Sequence, residues 1–162
     1  MRFVDTAGIR NVALVGHTGA GKTQLACALL FDSGAVNRFG RVDDGTAVTD
    51  FDEEAVARKH TLSASPAYFE WQQCKVNLLD TPGAGNFVSD ARAALRIVDA
   101  AIVVVDAVAG VQVSTEKVWE TAAELALPRL IVCHRLDRDR ASLSRTMESL
   151  RGSFGRGCVP VQ

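Results

Sequence analysis

The sequence predicts an α/β fold in which a mostly parallel sheet carries helices on both faces. Short unbroken apolar runs at 11–15, 100–105 and 130–133 read as strands buried on both sides. Stretches of helical character separate them with short links, the alternation that parallel strands require. A glycine-rich segment at 16–21 joins the first strand to the first helix, and ligands of such folds bind at the carboxyl ends of the strands.

Taken in order, the strand at 11–15 is apolar and β-branched and stops at Gly16. A helix follows over 22–30, with Ser33 and Gly34 as its stop. Residues 38–60 hold neither a helical nor a strand period and carry Asp43, Asp44, Asp50, Asp52, Glu53 and Glu54. A structureless stretch of that length in a compact domain is usually functional or mobile; a solvated surface loop is the plainer reading. Strands are expected at 63–70 and 75–80 around a turn at 71–74, and a helix at 91–96. After the strand at 100–105 come an amphipathic helix at 113–125, stopped near Pro128, and the strand at 130–133. A helix over 142–154 places Leu143, Met147, Leu150 and Phe154 on one face, with Arg145 and Arg151 toward water. Cys158 to Val161 could open a last strand.

The 162 residues suffice for one domain with a core and are short for two. Apolar residues make up 48% and charged ones 23%, which argues against a disordered or fibrous chain. With 18 basic against 19 acidic residues, bulk charge gives no support for direct DNA binding. The apolar run at 100–105 is far too short to span a bilayer, and Met1 to Asp5 lack the apolar segment of a signal peptide. Cys27, Cys74, Cys133 and Cys158 form no CxxC pair. They read as reduced, mostly buried residues of a cytoplasmic protein with no membrane association.

Three motifs lie at strand ends. Gly16, His17, Thr18, Gly19, Ala20, Gly21, Lys22 and Thr23 fit GxxxxGK[ST], between a predicted strand and a predicted helix. The glycines admit backbone angles and close approaches that a Cβ forbids. Successive N–H groups then make an anion nest at a helix N-terminus. Lys22 supplies a charge to β and γ phosphates, and the Thr23 hydroxyl can ligate Mg²⁺. Asp80, Thr81, Pro82 and Gly83 follow the next strand, where Asp80 can hold Mg²⁺ and the Gly83 N–H can meet a γ-phosphate. The third motif is the strand that runs through His134 and Arg135 to Asp137. An acid there can accept from the ring N–H and amine of guanine, and a helix cap or surface acid is its plainer reading.

With these motifs placed, nearly all of the chain resembles the G domain of elongation factor G. Asp44, Gly45, Thr46 and Asp50, then Phe87 and the block at 103–111, match as well. Phe51 to Glu54 with Arg58 look like the elongation-factor-G-like paralogues. The resemblance implies a P-loop NTPase G domain that binds GTP and GDP with Mg²⁺ and hydrolyses GTP on the ribosome, as a cytoplasmic monomer. It makes residues 38–62 switch I, with Thr61 closing on Mg²⁺ and the γ-phosphate beside Lys22. Thr23, Thr61 and Asp80 become the metal ligands, and Arg135 and Asp137 the base-contacting pair. It also implies a single domain over 1–162, truncated before an inserted subdomain and the last base-reading loop.

The departures are specific. Lys59 and His60 replace Gly and Ile of the family's Arg-Gly-Ile-Thr-Ile. Ala84 stands where the family has its catalytic histidine, and His134 and Arg135 replace the base-reading Asn and Lys. Slow hydrolysis and a relaxed preference for guanine follow. A regulatory module that hardly hydrolyses, and a P-loop ATPase, are the other readings.

Overall fold

The structure is a computed structural model and describes residues 5–161. Residues 1–4, read above for the lack of a signal segment, lie outside them, as does Gln162. Five strands form one sheet: β1 (Ile9–Val15), β2 (Ser65–Trp71), β3 (Cys74–Asp80), β4 (Ala100–Asp106) and β5 (Arg129–His134). Their order is β2-β3-β1-β4-β5, with β1 parallel to β3 and β4, and β4 parallel to β5. Only β2 is antiparallel, paired with β3 from Ser65 opposite Asp80 to Trp71 opposite Cys74.

The helices are α1 (Lys22–Asp32), α2 (Glu53–Arg58), α3 (Val88–Leu95), α4 (Val113–Glu124) and α5 (Leu143–Phe154). Alternation along β1 divides the core. Leu14 faces α1 with Ala26, Leu30 and Leu78, while Ala13 and Val15 face α3, α4 and α5 through Leu95, Val118 and Leu150. Helices therefore cover both faces, as the apolar runs predict. Leu14, Leu78, Leu95 and Leu150 are at most 2% exposed, and burying each such side chain is worth about 1.5–3 kcal/mol. Trp119 and Phe154 stack at 4.2 Å between ring centres, which fastens α4 to α5.

Some expectations need correction. Residues 38–60 are not wholly irregular, because α2 lies inside them. Asp52 caps it by accepting from the Glu54 N–H at 2.8 Å, and Arg58 pairs with Glu54 one turn back. Leu143 on α5 is exposed; Thr146 and Leu150 are the buried positions of that helix. Cys158 to Val161 form no strand. Of the four free cysteines only Cys27 is fully buried, and the others are half-buried. No helix among the described residues is long and apolar enough to cross a membrane.

The parallel arrangement brings the carboxyl ends of β1, β3, β4 and β5 to one edge. They carry, in turn, the glycine loop, Asp80, Asp106 and His134.

Candidate nucleotide-binding site

The loop from Gly16 to Gly21 leaves β1 and opens α1. Gly21 occupies the N-cap in the left-handed region (φ 97°), so no side chain caps the helix and no acid sits in its first turn. The positive end of α1 is thus left for an anion. Lys22 is 5% exposed and folds back over the loop, donating from Nζ to the carbonyls of Gly16 (3.1 Å) and His17 (2.9 Å). Burial pulls the Lys22 ammonium down to about 8, against the charges of Asp80 and Asp50.

Gly83 lies directly on this loop. A Cβ there would run into Lys22 Nζ and the backbone of His17 and Thr18, so the close approach requires glycine. Ala84 follows in extended conformation at the start of a short 3-10 turn, Gly85–Phe87.

Below the lysine, hydroxyls and carboxylates converge. Thr23 Oγ1 and Thr61 Oγ1 are 2.8 Å apart. Asp80 is fully buried and accepts from the Thr49 hydroxyl on Oδ2 at 2.7 Å, while its Oδ1 has no hydrogen-bond partner. Asp50, also buried, has an unpartnered Oδ2. Burial pushes Asp80 up to about 6, against the Thr49 and Thr23 hydroxyls and the Lys22 charge. It raises Asp50 too, against the Thr61 hydroxyl and the charges of His60 and Lys22. Two orphaned carboxylate oxygens beside two hydroxyls are an all-oxygen donor set that fits a hard cation such as Mg²⁺. No group of three or more His, Cys, Asp or Glu side chains suited to a metal occurs among the described residues. Sequence reasoning missed Thr49, which carries no motif, and left Asp50 outside the metal set.

At the far side of the loop the His134 ring lies against Gly21, where a Cβ would collide with Nδ1. Burial lowers the His134 imidazole, as does Arg135 beside it. Arg135 takes a left-handed backbone (φ 63°) and donates to Asp106 Oδ2 at 3.0 Å. Asp137 is exposed in the turn that follows. Thus the predicted phosphate and metal residues come together, Arg135 is engaged with Asp106, and Asp137 stands free at the rim.

The chain matches the elongation factor Tu GTP binding domain family over residues 7–158. It belongs to that family. Its relatives include elongation factor G and an elongation factor G-like protein. It is 35% identical to elongation factor G of Mycoplasma pneumoniae over 161 residues, covering 99% of this chain and 23% of that protein. It is 38% identical to the elongation factor G-like protein of Mycobacterium tuberculosis (strain H37Rv), covering 95% of this chain and 22% of that one. A crystal structure of a Thermus thermophilus protein superposes with a TM-score of 0.87 at 46% identity, over 92% of this chain and 22% of its own length. The chain therefore spans under a quarter of the length of these relatives.

Proposed function

We propose that this G domain binds GTP and GDP with Mg²⁺ and hydrolyses GTP as part of an elongation-factor-G-like translation factor. The observation that carries the reading is the convergence at one sheet edge of an uncapped helix N-terminus, a buried lysine and orphaned carboxylate oxygens. In this reading the loop from Gly16 to Thr23 cradles the phosphates, and Lys22 gives up its carbonyl partners for β and γ oxygens. Thr23, Thr61 and Asp80 would hold Mg²⁺, which would supply charge neutralisation for those oxygens. The Gly83 N–H meets the γ-phosphate, and Arg135 and Asp137 contact the base.

Hydrolysis is slow in this proposal. A water at the γ-phosphate needs a side chain to orient it, and the methyl group of Ala84 neither donates nor accepts a hydrogen bond. The partner is the ribosome, which the elongation-factor relatives favour, and the protein works as a cytoplasmic monomer. Calorimetric titration with GDP and Mg²⁺ tests the core of the reading. The parent binds and Lys22→Ala binds far more weakly, because a phosphate loses its counter-charge in a partly desolvated site. Equal affinity of the two proteins would overturn it.

A further inference from the structure

We propose that Asp106 is a positioning residue for the base slot, locking the Arg135 guanidinium into a fixed platform on which any purine ring can lie. The proposal rests on the nucleotide reading above and adds a residue to it.

Asp106 ends β4 and is 7% exposed. Its Oδ1 accepts from the N–H groups of Val108 (2.7 Å) and Ala109 (3.2 Å), and its carbonyl accepts from the Gly110 N–H at 2.8 Å. The carboxylate is thus fixed by its own turn before any partner arrives. The turn is fixed in its own right, since the Ala107 carbonyl accepts from the Thr146 hydroxyl of α5 at 3.2 Å. The Val111 N–H also meets Ser149 Oγ at 3.3 Å. Oδ2 is left to take the Arg135 guanidinium at 3.0 Å. These N–H groups and the guanidinium hold Asp106 below the ordinary carboxylate range despite its desolvation.

Arg135 is correspondingly constrained. The His134 carbonyl accepts from the Ala107 N–H at 2.9 Å, joining the ends of β4 and β5 one residue before it. The left-handed backbone of a long, non-glycine residue persists where its surroundings over-determine it. The side chain is one-third exposed while Asp106 holds its Nη1, so part of it stays accessible to a ligand. His134 against Gly21 places this platform next to the phosphate loop.

An ion pair usually gives back much of its Coulomb gain because both side chains must be ordered together. Here the carboxylate is already ordered, so the pair acts on the arginine alone and removes its rotamer freedom ahead of binding. A planar guanidinium stacks on any purine face. The platform therefore contributes affinity without choosing the base, and the choice falls to Asp137.

Titrations of GDP, inosine diphosphate and inorganic pyrophosphate, each with Mg²⁺, test this on the parent, Asp106→Asn and Arg135→Gln. The asparagine keeps a carbonyl oxygen for the Val108 and Ala109 N–H groups and puts an NH2 donor where the charged Oδ2 accepted from Arg135, so the arginine is released. GDP and inosine diphosphate should both weaken by the same factor, about fivefold to tenfold for one charge-assisted contact, while pyrophosphate is unchanged. Arg135→Gln, which leaves the Asp106 turn intact, should give the same pattern, and the double variant no further loss. Unchanged GDP affinity in both single variants overturns the proposal. Equal loss of pyrophosphate affinity also overturns it by showing general damage, and loss confined to GDP does so by making Asp106 a base selector. Failure of the parent to bind GDP overturns the nucleotide reading and the platform with it.

Discussion

Thr23 and Thr61 stand 38 positions apart in sequence and meet hydroxyl to hydroxyl at 2.8 Å. One belongs to the first turn of α1 and the other to the loop that precedes β2. Their contact seats that loop on the phosphate loop, beside the unpartnered oxygens of Asp80 and Asp50. In the proposed function both hydroxyls belong to the Mg²⁺ site.

Thr61→Ala should therefore raise the Mg²⁺ concentration needed for GTP binding and leave GDP nearly untouched. The expected shift is about tenfold, for one lost contact of about 1.4 kcal/mol. Fluorescent-nucleotide titrations at stepped Mg²⁺ measure it. Equal shifts for GTP and GDP would place Thr61 away from the γ-phosphate.

The metal-free protein should carry a pH signature of Asp80. Its carboxyl is raised from 3.8 to about 6 by burial. Between those values the native state binds the proton more tightly than the unfolded chain. Stability from this group is full below the lower value and is lost as pH rises through the upper one. Asp80→Asn removes the cost, so above pH 6 the metal-free variant should be more stable than the parent. The two should converge near pH 4, about the unfolded value of the carboxyl. Urea denaturation in chelator across this range reads the difference, and a parent as stable as the variant at neutral pH would contradict it. The same variant should lose Mg²⁺-dependent nucleotide binding.

Asp137→Asn should move preference from guanine toward xanthine. A carboxylate accepts from the guanine amine, whereas an amide can donate to the carbonyl that xanthine has in its place. Competition between GDP and xanthosine diphosphate reports the switch. A parent that binds adenosine and guanosine nucleotides equally would remove Asp137 from base reading.

Ala84→His should accelerate GTP hydrolysis in the intact factor by about 10²-fold or more, the usual worth of a group that positions or moves a proton. Single-turnover assays with and without ribosomes measure this. A ribosome-stimulated parent as fast as the histidine variant would show that position 84 does not limit the chemistry.

Much of this architecture is legible in the sequence for physical reasons. The runs at β1 and β4 are apolar on both sides because helices cover both sheet faces, and that leaves no alternation to misread. The run at 130–133 does form β5, but as the edge of the sheet it has no fully buried residue and Leu130 is half exposed, so the expectation of a buried strand there is corrected. The phosphate loop is legible because its chemistry needs glycines at fixed spacing. Helix α2 escapes because six residues give less than two turns of periodicity. Its acids look like a solvated run until Asp52 is seen as a cap and Glu54 as the partner of Arg58. The turn at Gln72 and Gln73 takes left-handed angles at both positions without the usual Asn-Gly. Asp106 reads only as the polar end of an apolar strand, since its partner Arg135 lies 29 residues away. Thr49, 2% exposed, is invisible in a loop without a period, yet it satisfies one oxygen of Asp80.

The pairing of β2 with β3 bears on how the two ligand-facing loops behave together. Ser65, four residues beyond Thr61, sits opposite Asp80, three residues before Gly83. Both loops are therefore tethered to the same end of one hairpin. The opposite end is the Gln72–Gln73 turn, about 20 Å away at the usual rise per strand residue. It stands at an open sheet margin, with Tyr68 and Trp71 half exposed along the outer strand. The ribbon is itself fastened to the sheet, because β3 pairs with β1 from Lys75 to Asp80. The rung at Ser65 and Asp80 is thus a fixed anchor from which both ligand-facing loops depart, so whatever moves at the site must move within the loops.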